Sequence, residues 1–411
     1  MTDSRNLDRM REAVFNKRPV LREIEENFGD WSLKKYIQEG WELSKAEPDA
    51  VFLKIVEKWL QNLYGPDLAK KCIEQLRANP LVSTVGHLGL WGHPIFLNAD
   101  VIYTLHFNTH EFAVLFSCES VSLNNTSSWS GSVIFHENSE QRRFSFFPDR
   151  LKTQPVFYAP SKKAEDIKKF KEKHGELGRR FAEAFLVDTD LLSFSLQACK
   201  ASNVFWQKVF PSAPKTIFLP VESVAADYLL EVFKNPNHIL TRLVFSEKGQ
   251  SLWKKYLHEE HTYMFWGIDA KGRREPLKVL PEDIIGLLKA RKIYPSSPLY
   301  FVVFLLTGFA CVGGFTQTTW LSNVKSKFIS MLEEMGEKEL ALKVKPVPTK
   351  NFGESTLVFE GLVSAMDLYL KGKDLYQEFS LRAEKMTLKE SMNLAMPTIY
   401  SVVVPKEEQG M

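Results

Sequence analysis

The stretch Leu81-Val82-Ser83-Thr84-Val85-Gly86-His87-Leu88-Gly89-Leu90-Trp91-Gly92-His93-Pro94 decides the reading of the fold. Its first five residues, apolar or small, suit a short buried strand. Glycines at 86, 89 and 92 let the backbone turn sharply. Pro94 suits the first turn of a helix, because its missing N–H is one that position does not use. That helix is predicted to reach about residue 107, and residues 111–120 form the next strand, with Phe112, Val114, Leu115 and Phe116 apolar. Strand, glycine loop, helix and strand make a βαβ unit, which requires a parallel sheet. The expected fold class is α/β: a Rossmann-like, mostly parallel sheet with a helical N-terminal region and inserted short strands.

Working outward, residues 1–80 read as helices. Val51, Phe52, Ile55, Val56, Trp59 and Leu63 recur at helical spacing after Pro48-Asp49, and a second helix opens at Pro66-Asp67. The α/β core is expected over 81–360. Its inserted β segments, about 120–160, hold strands at 132–136, 143–147 and 156–158. A charged helix follows over 161–186, with eight Lys or Arg and four Asp or Glu between 161 and 180. Those charges read as a solvated face, or as a rim that attracts anions beside a site. Further on come a strand at 216–219, a helix at 222–233, a hairpin of 261–267 with 274–280, and a helix from Pro281 to about 292. The apolar run 299–312 has 14 residues. A membrane span takes about 20, so the run reads as a core element. A helix over 318–335 places Trp320, Val324, Phe328 and Met331 on one face. Residues 361–411 read as an extension alternating short strand and helix signals.

Composition narrows the function. The chain has 411 residues, with 53 Lys or Arg against 50 Asp or Glu, a net charge of +3. That balance argues against a nucleic-acid binder, whose domain carries clustered positive charge. Apolar content of 44% excludes general disorder. Thirty phenylalanines point to a heavily packed interior or an apolar cleft. Cys72, Cys118, Cys199 and Cys311 lie far apart with no CxxC pair, which suits reduced thiols rather than a disulfide framework or zinc site. Charged residues from Arg5 to Glu12 leave no apolar leader. A cytoplasmic enzyme with a small-molecule partner, and neither nucleic acid nor membrane, is the expectation.

Two loops are candidates for chemistry. In 86–93, Gly86, Gly89 and Gly92 bring backbone N–H groups and a helix start towards a ligand, which favours a phosphate or carboxylate. His87 and His93 stand where they can stabilise charge or move a proton. The bland alternative is that the glycines serve packing and the histidines cap the helix. The loop is neither GxGxxG nor a GK[ST] phosphate loop, so an ordinary dinucleotide fold is disfavoured. The second loop, Gly313-Gly314-Phe315-Thr316-Gln317, also opens a helix, and Thr316 and Gln317 join the anion-binding set. Asn98, Asn124 and Asn125 are the substrate-binding candidates, although the run from Asn124 to Ser128 also reads as a plain turn. His106 and His110 lack the HExxH glutamate, and 258–261 reads as an exposed helix end, so no metal site is recognised. A GxSxG elbow is also missing.

The segments Gly89-Leu90-Trp91-Gly92-His93-Pro94-Ile95-Phe96 and Val312-Gly313-Gly314-Phe315-Thr316-Gln317-Thr318-Thr319-Trp320 resemble two loops of the bacillithiol-biosynthesis cysteine-adding enzyme family. His93 replaces a glycine of that pattern, the run from Gly86 to Gly89 is one residue short, and Gln317 stands where the family has an acid. The resemblance implies a Rossmann-like core holding a nucleotide and a small acceptor. The expected function is a ligase or group-transfer enzyme of biosynthesis, with ATP or another nucleotide as cofactor. The alternative is a non-catalytic small-molecule-binding or scaffold protein of the same fold.

Overall fold

The computed structural model describes residues 4–407, apart from 90–93, 126–128, 138–139, 186–189, 192, 258–262, 358–363 and 406. Five strands form one parallel sheet: β1 (Leu81–Ser83), β2 (Phe112–Ser117), β3 (Lys215–Pro220), β4 (Ala310–Gly313) and β5 (Asn351–Phe352). Their spatial order is β5-β4-β1-β2-β3. Leu81, Val82 and Ser83 lie opposite Ala310, Cys311 and Val312, and Ser83 lies opposite Leu115 on the other side. β1, β2 and β4 are buried throughout, as strands covered on both faces must be. The fold is Rossmann-like. Its chain runs outward from β1 to β3 on one side and through β4 to β5 on the other, so the order reverses between β1 and β4.

Local chemistry explains the helices that cover the sheet. Asp49 accepts the Phe52 N–H at 2.8 Å and starts the Ala50–Tyr64 helix. Pro94 opens the Pro94–Thr104 helix, of which every residue but Ile95 is buried. A capping box of Thr387 and Glu390 opens the Leu388–Val403 helix, which packs against the first helix, Ser4–Lys17. Arg11 reaches from that first helix to Asn393 Oδ1 at 2.8 Å.

Several expectations are corrected. The apolar run is not one element. It divides into the Ser297–Thr307 helix and β4, because Gly308 takes φ +80° and reverses the chain. Residues 156–158 form a turn of 3-10 helix rather than a strand. There the Val156 and Phe157 N–H groups bond to Val121 and Glu119, which are loop carbonyls rather than a ladder. Beyond residue 361, the described elements are all helical: Ala365–Lys371, Tyr376–Lys385 and Leu388–Val403. The inserted strands Ser132–Glu137 and Glu140–Ser145 pair as an antiparallel hairpin. Phe265–Ile268 pairs with Arg274–Pro276 as expected, and Tyr294–Pro295 adds a third strand to it. Among the described residues, no helix is long and apolar enough to cross a membrane.

The core is aromatic. Phe52 meets Phe116, Tyr228, Phe304 and Phe309 with ring centroids 5.3 to 6.2 Å apart. Phe304, 2% exposed, also stands edge-on to Phe116. Phe304→Ala should therefore lower unfolding free energy by about 3 to 5 kcal/mol in a urea titration.

Candidate functional site

Because β1 and β4 are neighbours, the two glycine loops leave the same edge of the sheet. The Thr84 N–H donates to the Val312 carbonyl at 3.1 Å, and the Gln317 side-chain amide donates to Thr84 Oγ1. Gln317 thus ties one loop to the other. In open α/β sheets this reversal of strand order is where ligands collect. A cleft of about 190 Å3 lies here, lined among others by Pro94, Asn98, Phe315, Glu354, Ser355 and Thr398.

Glu354 was not among the residues singled out in the sequence. The loop after β5 carries it, held where the Gly353 N–H meets the Gly313 carbonyl at 3.0 Å. Its carboxylate accepts the Phe315 N–H at 3.0 Å, at the start of the Gln317–Glu334 helix. Burial pushes its carboxyl up to about 8, opposed only by that hydrogen bond. Among the described residues, no basic group lies within ion-pair distance of it. A Cβ on Gly314 would lie 2.1 Å from Glu354 Oε2, so glycine is needed there for the carboxyl to approach. Gly313 is buried beside the Gln317 side chain, and Thr316 is exposed. Asn98 uses both ends of its amide: Nδ2 donates to the Pro94 carbonyl at 2.9 Å and Oδ1 accepts the Leu357 N–H at 3.0 Å. It shapes the cleft wall by joining the Pro94 helix to the loop after β5.

The first loop is more tightly built than its glycines alone imply. The Cys118 N–H donates to the Gly86 carbonyl at 2.9 Å, and the Leu88 N–H donates to the Cys118 carbonyl at 2.8 Å. Gly89 is a packing glycine, since a Cβ there would lie 2.5 Å from Ser130 Cα. His87 is half-buried with its ring 4.9 Å from that of Phe96. Gly92 and His93 lie outside the described residues, as do Thr126 to Ser128 and residues 258–261. Asn124 and Asn125 are half-buried in a turn, their N–H groups donating to Lys152 and Ser122 carbonyls at 2.9 Å, and neither lines the cleft. Among the described residues, no group of three His, Cys, Asp or Glu is placed to hold a metal.

A second acidic feature sits at the ends of β2 and β3. Glu119 and Glu222 are each 1% exposed, and each accepts hydrogen bonds from the segment that carries the other. Glu222 accepts the N–H groups of Glu119 and Ser120 at 2.8 and 3.2 Å, and the Cys118 thiol at 3.0 Å. Glu119 accepts the Ser223 N–H at 2.8 Å, the Ser223 hydroxyl, and the Ser195 hydroxyl at 2.5 Å. Burial, then the neighbouring Glu222, pushes Glu119 up to about 7 against the pull of its serine donors. The sequence does carry a signal for the pair, since Glu119-Ser120 and Glu222-Ser223 repeat one dipeptide just past two adjacent strands.

No family model matches the chain, and no curated protein matches it.

The raised Glu119 carboxyl has a consequence for stability. An unfolded glutamate ionises near pH 4.3. The folded chain holds its proton to about pH 7. The cost of ionising the buried group is thus absent below the first value and complete above the second, so stability falls as pH rises between them. Glu119→Gln should shrink the loss seen between pH 5 and pH 8 by on the order of 2 kcal/mol. Urea titrations at the two pH values measure it. An equal loss in both proteins would assign the proton elsewhere.

Proposed function

We propose that the chain is a ligase or group-transfer enzyme that takes a small polar acceptor in the switch-point cleft and a nucleotide or other phosphorylated ligand beside it. Glu354 carries the reading: a carboxyl without a basic partner among the described residues, lining a cleft at the reversal of strand order. With its proton lost only near pH 8, this group can exchange a proton at neutral pH. A transfer reaction needs that exchange, because the acceptor loses a proton as it gains the transferred group. The cleft, about 190 Å3, is below the roughly 300 Å3 at which drug-sized ligands begin to fit, so it suits the acceptor alone. We assign the phosphorylated partner to the side of residues 84–89 and the Pro94–Thr104 helix start, whose dipole favours an anion. There His87 would stabilise charge or relay a proton; the same role expected of His93 falls outside the described residues. Where Gln317 departs from the bacillithiol-biosynthesis pattern, Glu354 brings a carboxyl to the same loop from β5. A second reading, a non-catalytic binding or scaffold protein that takes no phosphorylated ligand, is favoured by the Leu88 N–H, which a phosphate-cradling loop would offer and which here serves Cys118.

Thermal melts with nucleotides, with and without magnesium, test the reading. A nucleotide at 100 times its Kd should add about 2.7 kcal/mol of stability. His87→Ala should weaken that ligand about ten- to hundredfold in calorimetric titration, with little change in the ligand-free melting temperature. Glu354→Gln should leave nucleotide binding intact and lower turnover by roughly 100-fold or more. If no nucleotide stabilises the chain, the transfer reading fails.

A further inference from the structure

A cationic cleft lies outside the switch-point site and shares none of its lining residues. Strand Glu140–Ser145 and the Ala164–Phe185 helix enclose about 160 Å3, with Lys162, Lys169, Lys173 and Asp166 in the wall. Phe146 and Phe170 supply its apolar side, stacked at 4.3 Å and 20°. Lys169 and Lys173 are exposed one helical turn apart. Lys162 differs from both. It is only 9% exposed, and its backbone is pinned by Gln197, which accepts the Lys162 N–H at 2.8 Å and donates to its carbonyl at 3.0 Å. Its ammonium rests 3.9 Å from the Phe147 ring centroid and, among the described residues, forms no ion pair, with Asp166 acting on it only at longer range. The one carboxylate in the wall, Asp166, accepts the Lys163 N–H at 3.0 Å. A partly desolvated ammonium carries a cost unless an anion or hydrogen-bond acceptors meet it, and an aromatic face offsets only part of that cost.

The surroundings share the sign. Residues 140–180 hold twelve Lys or Arg against six Asp or Glu, a local charge of +6 in a chain of net +3. We propose that this cleft binds a phosphate-bearing group through Lys162, Lys169 and Lys173. Three ammonium groups about one small cavity suit a multiply charged tetrahedral anion better than a single carboxylate, and lysine meets phosphate as a point charge from any side. A free phosphorylated metabolite and a phosphomonoester lipid headgroup present the same chemistry. The volume admits the phosphate moiety and leaves the rest of either molecule outside.

Calorimetric titration of the full chain with inorganic pyrophosphate, alongside sedimentation with phosphatidylcholine vesicles with and without phosphatidic acid, tests the site. Saturable binding is expected, weakened about tenfold or more by Lys162→Met and by the exposed pair Lys169→Gln with Lys173→Gln. It should also weaken with salt and be untouched by His87→Ala, the change that weakens a phosphorylated ligand at the switch-point site. Binding to pyrophosphate alone assigns a soluble ligand, whereas added binding to phosphatidic acid vesicles assigns the headgroup. Should Lys162→Met fail to fold, the exposed pair decides. The proposal is overturned by an absence of saturable binding in both assays. It is equally overturned if binding is lost in His87→Ala and kept in the lysine variants.

Discussion

Three residues, Leu81 to Ser83, separate the two halves of the sheet, and each must satisfy its backbone inside a dry core. β1 is buried throughout, so its N–H and C=O groups have no water to fall back on. The pairing of Leu81–Ser83 with Ala310–Val312 meets that demand, although it joins positions more than two hundred residues apart. It is reinforced where the Ala310 N–H donates to the Pro80 carbonyl at 2.8 Å and the Tyr103 hydroxyl donates to the Leu81 carbonyl at 3.0 Å. Such distant closure is costly in chain entropy, and the apolar area that the flanking helices bury offsets it. Everything at the carboxyl edge follows from this adjacency. Without it the Pro94 helix and the Gly314 loop would not face one cleft.

Desolvation acts on buried or half-buried charges at three places, and the chain answers it differently each time. Glu119 and Glu222 are surrounded by donors, so that the two acids clamp the ends of β2 and β3 while one of them is pushed to hold its proton. Such a saturated pair suits a structural role. Glu354 receives a single backbone N–H and faces a cleft, which leaves its proton free for exchange with a ligand. Lys162 rests on an aromatic ring, a partner too weak to cancel a full charge. The unsatisfied members of this series are the ones to which a functional role is proposed.

The stretch from Leu81 to Ser120 was legible because its information is local. Residue period, glycine placement and a proline at a helix start are properties of neighbours in the chain, and they specified the βαβ unit and with it a parallel sheet. The stripe from Val51 to Leu63 and its Asp49 cap were readable for the same reason. The apolar run 299–312 announced burial but not its division, since Gly308 reverses the chain only when helix and strand both have somewhere to pack.

The candidate site was half legible. Gly313, Gly314 and Gln317 could be named because glycine pairs at helix starts stand out, and tertiary structure added why Gly314 must be glycine. Glu354, forty positions further on, looks in sequence like any loop glutamate. Its altered proton affinity arises only when β5 pairs with β4 and carries it against Phe315. Glu119 and Glu222 likewise become a pair only through the register of β2 and β3, which sets Ser117 opposite Pro220. Sequence alone determined the βαβ unit of residues 81–120 and the longer helices with their apolar faces, since those follow from local steric and hydrophobic preference. Which polar groups meet, and so which lose water and shift their protons, was decided by tertiary structure, because desolvation depends on neighbours that the chain brings together only by folding.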